Sequence, residues 1–212
     1  MVAEAKKARK ESAQGVTNGK APPPESPVRK PRADSLRNRE RLLVAARQVF
    51  AAGGTGASLE AVARDAGVGI GTLYRHFPTR EALFQAVYAR EVDELVALAE
   101  ALAEEVEPVS AIRRWLHGMV RMVATKRGML AALEPALETS QPLFSASSAR
   151  MQQAAGGLLQ RGVELGAIRD DVSAEDVMRA VLGICYIRQD DGWQARTIRL
   201  LDIFVDGLVV LR

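Results

Sequence analysis

The stretch "AGVGIGTLYRHFPTREAL", residues 66–83, sets three glycines in five positions between two short segments of helical periodicity. No other feature constrains the chain as much. Before it, Leu59, Val62, Ala63 and Ala66 recur at i, i+3, i+4 and i+7, the apolar stripe of a short helix. Ser58 stands at its N-cap and Glu60 in its first turn, where the helix dipole favours a carboxylate. After the glycines a second short helix is expected from about Ile70 to Phe77, and Thr79 can cap a third. Gly67 allows a sharp exit from the first helix. Gly69 falls at the N-cap of the next, where glycine is tolerated although serine is better. Val68 and Leu73 are apolar and face the core of such a unit.

Glycines before a helix raise the possibility of a phosphate cradle, but the context is wrong. A dinucleotide fingerprint needs Gly-x-Gly-x-x-Gly after a β-strand, and here Gly-x-Gly-x-Gly follows a helix. Two short helices joined by a glycine turn, the second exposed, instead form a helix-turn-helix. Thr72, Tyr74, Arg75 and His76 then supply hydroxyls, a cation and an imidazole suited to phosphates and base edges. Arg37, Arg39 and Arg41 on the preceding helix are either backbone contacts or solvated charges.

The charge distribution agrees with a polyanionic partner at one end. Residues 1–33 hold eight Lys/Arg against three Asp/Glu, residues 34–81 seven against five, and residues 82–212 fourteen against eighteen. The first 33 residues contain no Leu, Ile or aromatic residue and five of the nine prolines. Such a segment cannot bury enough apolar surface to order itself, so a disordered basic tail is expected there. Its "GVTNGK" does not make a phosphate loop: the spacing is one residue short and Ala21 stands where Ser/Thr is required.

The rest of the chain is helical in pattern. A helix from Asp34 or Ser35 carries Leu36, Leu43, Ala46, Val49 and Phe50 and ends at Gly53-Gly54. The helix from Thr79 extends to Pro108. Further segments near 109–125, 128–139, 142–165, 173–189 and 194–211 each show a 3.6-residue apolar period. No alternating strand pattern and no repeat is present. The expected fold is all-α: a tail (1–33), a three-helix DNA-binding module with the helix-turn-helix (34–80), and a larger helical domain (81–212). A single cysteine, Cys185, excludes an internal disulfide and fits a reducing, cytoplasmic setting. Two distant histidines and one cysteine give no metal site, and no apolar run reaches the roughly 18–20 residues of a membrane span. No nucleophile motif or cofactor signature appears, so neither an enzyme nor a cofactor is expected.

The segment "SLEAVARDAGVGIGTLYRHFPTREALFQAV" resembles the DNA-binding signature of the TetR family of bacterial transcriptional regulators over about residues 36–90. That resemblance implies an all-α homodimer with an N-terminal helix-turn-helix and a C-terminal domain for ligand binding and dimerisation. By position, Tyr74 and His76 should touch phosphates. Arg80 falls where the family often has a basic phosphate contact, and Ser58 can offer its hydroxyl or its helix N-terminus. Ile70, Gly71, Thr72 and Arg75 lie on the face that reaches bases. The chain departs from the family at Gly69, where a serine or similar polar residue is usual.

"VELGAIRDDVSAEDVMRAVLGICYIR" also resembles the family, with Ser173 and Asp176 as a capping-box start. The resemblance implies a four-helix dimer interface built from the last two helices, to which Val177, Val181, Ile184, Ile198, Leu201, Val205 and Leu208 are assigned. The alternative is that the same stripes form a purely intramolecular core. "IRRWLHGMVRMVATKRGMLAAL" resembles a subgroup with an SbtR-like C-terminal domain. Trp115, Met119, Met122, Met129, Phe144 and Met151 either line an effector cavity or pack as ordinary core. The expected function is a ligand-responsive repressor that binds a palindromic double-stranded DNA operator as a homodimer and is released by an unknown small molecule, with no membrane partner. The competing expectation is a non-sequence-specific nucleic-acid binder that relies on the basic tail.

Overall fold

The computed structural model describes residues 30–53, 57–104, 107–133, 141–187 and 192–210, without side chains for 30–32, 132–133 and 141–144. The described residues form eight helices: α1 (Lys30–Ala52), α2 (Leu59–Asp65), α3 (Ile70–His76), α4 (Arg80–Ala103), α5 (Pro108–Leu133), α6 (Gln141–Glu164), α7 (Ala174–Cys185) and α8 (Trp193–Asp206). Among those residues there is no strand. One antiparallel bridge, Ile168 to Val209, ties the α6–α7 link to the end of the chain after α8. No helix of the described residues is long and apolar enough to cross a membrane.

Three helix starts follow directly from their caps. Ser58 Oγ accepts the Ala61 N–H at 3.1 Å, Thr79 Oγ1 accepts that of Ala82 at 3.1 Å, and Ser173 with Asp176 makes a complete capping box. α1 starts at Lys30, earlier than the sequence suggests. Pro31 falls in its first turn, where a missing N–H costs nothing. Asp34 is therefore not a cap and instead pairs with Arg37. Residues 1–29 of the expected tail lie outside the described residues.

One expected break is absent. The segments near 109–125 and 128–139 are expected as separate helices broken around Gly128, yet α5 runs through that glycine. Glycine is there for proximity: an added Cβ would stand 1.7 Å from the Phe50 carbonyl oxygen, so the end of α1 lies directly on α5. The rest of the expected 128–139 helix, from 134 onward, lies outside the described residues.

A single apolar core runs through the molecule. Leu42, Leu43, Ala46 and Phe50 of α1, Val62 of α2, Leu73 of α3 and Leu83, Phe84 and Val87 of α4 are buried together. This core continues into Trp115, Met119, Met129, Leu158, Val177, Val181, Leu201 and Val205. Leu36, expected on the buried stripe of α1, is exposed on its N-terminal half. Polar groups also cross from α1 to α4. Arg47 bonds Glu91 at 2.8 Å and Glu94 at 2.6 Å, and Arg90 joins Glu94 to Glu40. Burial raises the Glu91 carboxyl above its ordinary value, with the Arg47 charge pulling it back.

Candidate nucleic-acid interface

The turn between α2 and α3 is made by backbone chemistry. Gly67 adopts φ +64°, a left-handed conformation that favours glycine, and the guanidinium of Arg41 lies close over it. The Val68 N–H then bonds back to the Ala63 carbonyl at 3.0 Å, and the half-buried Val68 packs on the core. Gly69 caps α3 with extended backbone and no side-chain hydrogen bond, as expected from its missing hydroxyl. Leu73 and Phe77, fully buried, fasten α3 from beneath. Arg39 stacks its guanidinium 5.4 Å from the Phe77 ring centroid.

With Leu73 and Phe77 turned inward, the opposite face of α3 is presented outward. Ile70, Gly71, Tyr74 and Arg75 are exposed, and Thr72 and His76 are half-buried. Ile70 and Tyr74, 39% and 43% exposed, are large apolar or aromatic side chains standing open on a seven-residue helix. An added Cβ at Gly71 would meet open space, so nothing within the protomer requires glycine there.

Ser58 and Arg80 join this face from its flanks. The Ser58 hydroxyl oxygen accepts the Ala61 N–H as the cap of α2, and its proton is shared with the Glu60 carboxylate. Glu60 is held below the usual carboxylate range by its own backbone N–H, by the Ser58 hydroxyl and by the Arg80 charge. Glu81 is lowered similarly, by its backbone N–H, by Thr79 and by Arg80. Arg80 is thus within electrostatic reach of the α2 start and exposed beside it. The eight candidate residues thus sit at the N-cap of α2, along α3 and at the first residue of α4. Arg39 lies over Phe77 and Arg41 close to Gly67, packing that was not among the two sequence expectations for them, backbone contact or solvated charge.

The other assignments fall differently. Trp115, Met119, Met122, Met129 and Met151 are buried, and the side chain of Phe144 lies outside the described residues. The cavity beside Trp115 holds only about 10 Å³, and Trp115 Nε1 donates to the Leu95 carbonyl at 2.9 Å. Those side chains pack here as core. Of the seven residues assigned to dimer contact, Val177, Val181, Leu201, Val205 and Leu208 are buried inside the protomer, and Ile184 and Ile198 are half-buried. The apolar side chains left outward on these helices are others: Leu182, Tyr186 and Ile187 at the end of α7, and Leu200 and Ile203 on α8. The guanidinium of Arg127 stands 5.3 Å from the Tyr186 ring centroid. Periodicity finds the stripe that is most apolar, which is the inward one. The usable signal was the second apolar stripe on the same helices.

Comparison with known proteins adds independent findings. The family model described as "Bacterial regulatory proteins, tetR family" matches residues 42–87, and that described as "Transcriptional regulator SbtR-like, C-terminal domain" matches residues 107–210. The HTH-type transcriptional regulator UidR of Escherichia coli is 37% identical over 75 residues, which cover 35% of each chain. The chain thus spans about a third of the length of the curated relatives it matches. A TetR transcriptional regulator from Streptomyces coelicolor has a similar solved structure, with 37% identity and a TM-score of 0.72. That match covers 82% of this chain and 99% of the other. A TetR transcription regulatory protein from Mycobacterium vanbaalenii shows 34% identity and a TM-score of 0.63, over 84% of this chain and 99% of its own.

Proposed function

The chain belongs to the TetR family and is a DNA-binding transcriptional regulator, and from that premise we propose that it is a cytoplasmic repressor that binds a palindromic operator as a homodimer and is released by a small-molecule effector. In this reading the DNA-binding domain, expected over residues 34–80, takes in all of α1 from Lys30, residues 81–212 are the effector and dimerisation domain, and residues 1–29 are an accessory basic tail. Tyr74, His76, Arg80 and Ser58 hold phosphates, while Ile70, Gly71, Thr72 and Arg75 meet base edges. The observation that carries it is the outward face of α3: Tyr74 stands 43% exposed above fully buried Leu73, beside Arg75 and His76.

Dimerisation follows from the second apolar face. Ile203 is 67% exposed and Ile187 58%, with Leu182, Tyr186 and Leu200 on the same pair of helices. A two-fold pairing of α7 and α8 would cover them and set two α3 helices toward successive major-groove faces, about 34–36 Å apart. An effector that favours another spacing lowers operator affinity, and by linkage the operator lowers effector affinity equally.

The test is binding to sequence-selected duplex across a salt series. Tyr74→Ala and His76→Ala should each remain folded and bind more weakly, whereas Arg80→Gln should also flatten the salt slope by up to about one unit for its lost phosphate contact. Deleting residues 1–29 should weaken binding but keep sequence preference. If either α3 variant binds as the parent does, or if tail deletion abolishes all binding, this assignment of the interface fails.

A further inference from the structure

Between α1, α4, α5 and the first turn of α8 lies a groove of about 300 Å³ that no residue of α2 or α3 lines. Three guanidinium groups line it, those of Arg47, Arg90 and Arg121, together with an apolar wall of Val44, Ala51 and Ala124. No carboxylate lines it among the described residues. The carboxylates that pair with Arg47 and Arg90 are Glu91, Glu94 and Glu40, none of which borders the groove.

Donors are left over on the groove side. A guanidinium has five N–H groups. Arg47 gives Nε to Glu91 and Nη1 to Glu94, so its Nη2 has no acceptor in those pairs. Arg121 is exposed and forms no ion pair among the described residues. Among the described residues its guanidinium makes a long hydrogen bond, 3.4 Å to the His117 carbonyl, and its charge reaches buried Glu91 through space. Gln194 closes the groove from the first turn of α8, whose N-cap, Gly192, offers no side-chain acceptor. Planar N–H forks beside a small apolar wall are matched by a carboxylate joined to an apolar body.

We propose that this groove binds a small organic acid, its carboxylate held by Arg121 and Arg47 and its apolar part resting on Val44, Ala51 and Ala124. The occupant touches α1, which carries the DNA-binding helices, and α5 and α8 of the C-terminal domain at once. Its consequence for DNA rests on the effector reading above, whereas its binding does not. That consequence is a change in the seat of α1 on α5, and thus in the spacing of two α3 helices.

The probes are phenylacetate and its neutral amide, phenylacetamide, titrated into the full chain while the arginine Nε–H signals are followed by NMR. Phenylacetate should shift the Arg47 and Arg121 signals saturably, and the amide should bind about tenfold more weakly or worse. Arg121→Gln should melt like the parent and weaken phenylacetate about tenfold, with part of the affinity restored in Arg121→Lys. Equal binding of acid and amide overturns the site, as do shifts that map away from the groove, an unchanged affinity in Arg121→Gln, or the absence of any saturable shift. The same titration is read against selected duplex. Acid-selective binding that leaves DNA affinity unchanged keeps the site and overturns the effector reading, and intact DNA recognition without acid binding overturns the site alone.

Discussion

Gly128→Ala is a sharp probe of how the DNA-binding helices are seated. The substituted Cβ would stand 1.7 Å from the Phe50 carbonyl oxygen and 2.7 Å from its carbon, whereas real Cβ atoms essentially never approach closer than 3.0 Å. The obstacle is backbone on both sides, so no rotamer can relieve it. The end of α1 must move from α5 by at least 1.3 Å, or the mutant core must loosen. Overpacking of this kind costs about 1–3 kcal/mol and occasionally more. The intrinsic preference of a helix for alanine over glycine returns up to about 1 kcal/mol. The net is a loss of about 1 kcal/mol, or a fall of about 2–4 °C in melting temperature for a chain of this size. The matched control is Gly157→Ala on α6, where an added Cβ meets nothing within 4 Å, and it should gain about 0.5–1 kcal/mol. Calorimetry on both variants measures the difference, and fluorescence anisotropy on labelled duplex asks whether the shifted α1 also alters DNA affinity. A Gly128→Ala protein that melts at or above the parent would refute the close seating of α1 on α5.

Three other expectations follow from single contacts. Ser58→Ala removes the acceptor of the 3.1 Å cap bond to Ala61 and should cost about 1 kcal/mol in urea unfolding, with weaker DNA binding beside it. Ile203→Glu places a charge on the most exposed large apolar side chain of α8, and sedimentation should show a dimer becoming a monomer. A dimer that persists would move the interface off this face. Asp202 joins α8 to α5 by accepting from Arg113 at 3.0 Å and pairing with His117 at 2.8 Å. Burial alone would raise its carboxyl, but those bonds outweigh it and hold it below its ordinary value. Its contribution is therefore present above the usual carboxylate range, about pH 4, and lost as pH falls through the depressed folded value. Asp202→Asn should cost about 1 kcal/mol at neutral pH, discounted for partial exposure, and show a shallower loss of stability on acidification.

The helix-turn-helix was legible because each of its constraints is local. A capping serine, a four-residue apolar stripe, a left-handed glycine and a buried Leu73 all act within twenty residues of one another. Gly128 was misread for the opposite reason. In sequence it is a helix breaker, and only the approach of Phe50, 78 positions earlier, turns it into a contact point. The dimer assignment to Val177, Val181, Leu201, Val205 and Leu208 shows a second limit. Periodicity identifies an apolar face but not whether its cover comes from the same chain, and here α5 and α6 supply it. The Arg47, Arg90 and Arg121 groove was invisible because those residues come from three helices and none belongs to a motif.

Selection of bound duplexes from a random pool, at fixed salt, tests the central claim most directly. A homodimer presenting two copies of α3 should recover an inverted repeat whose half-sites lie about one helical turn apart, and Tyr74→Ala should fail to enrich it. Recovery of no symmetric motif, or enrichment of the same motif by Tyr74→Ala, would contradict the account.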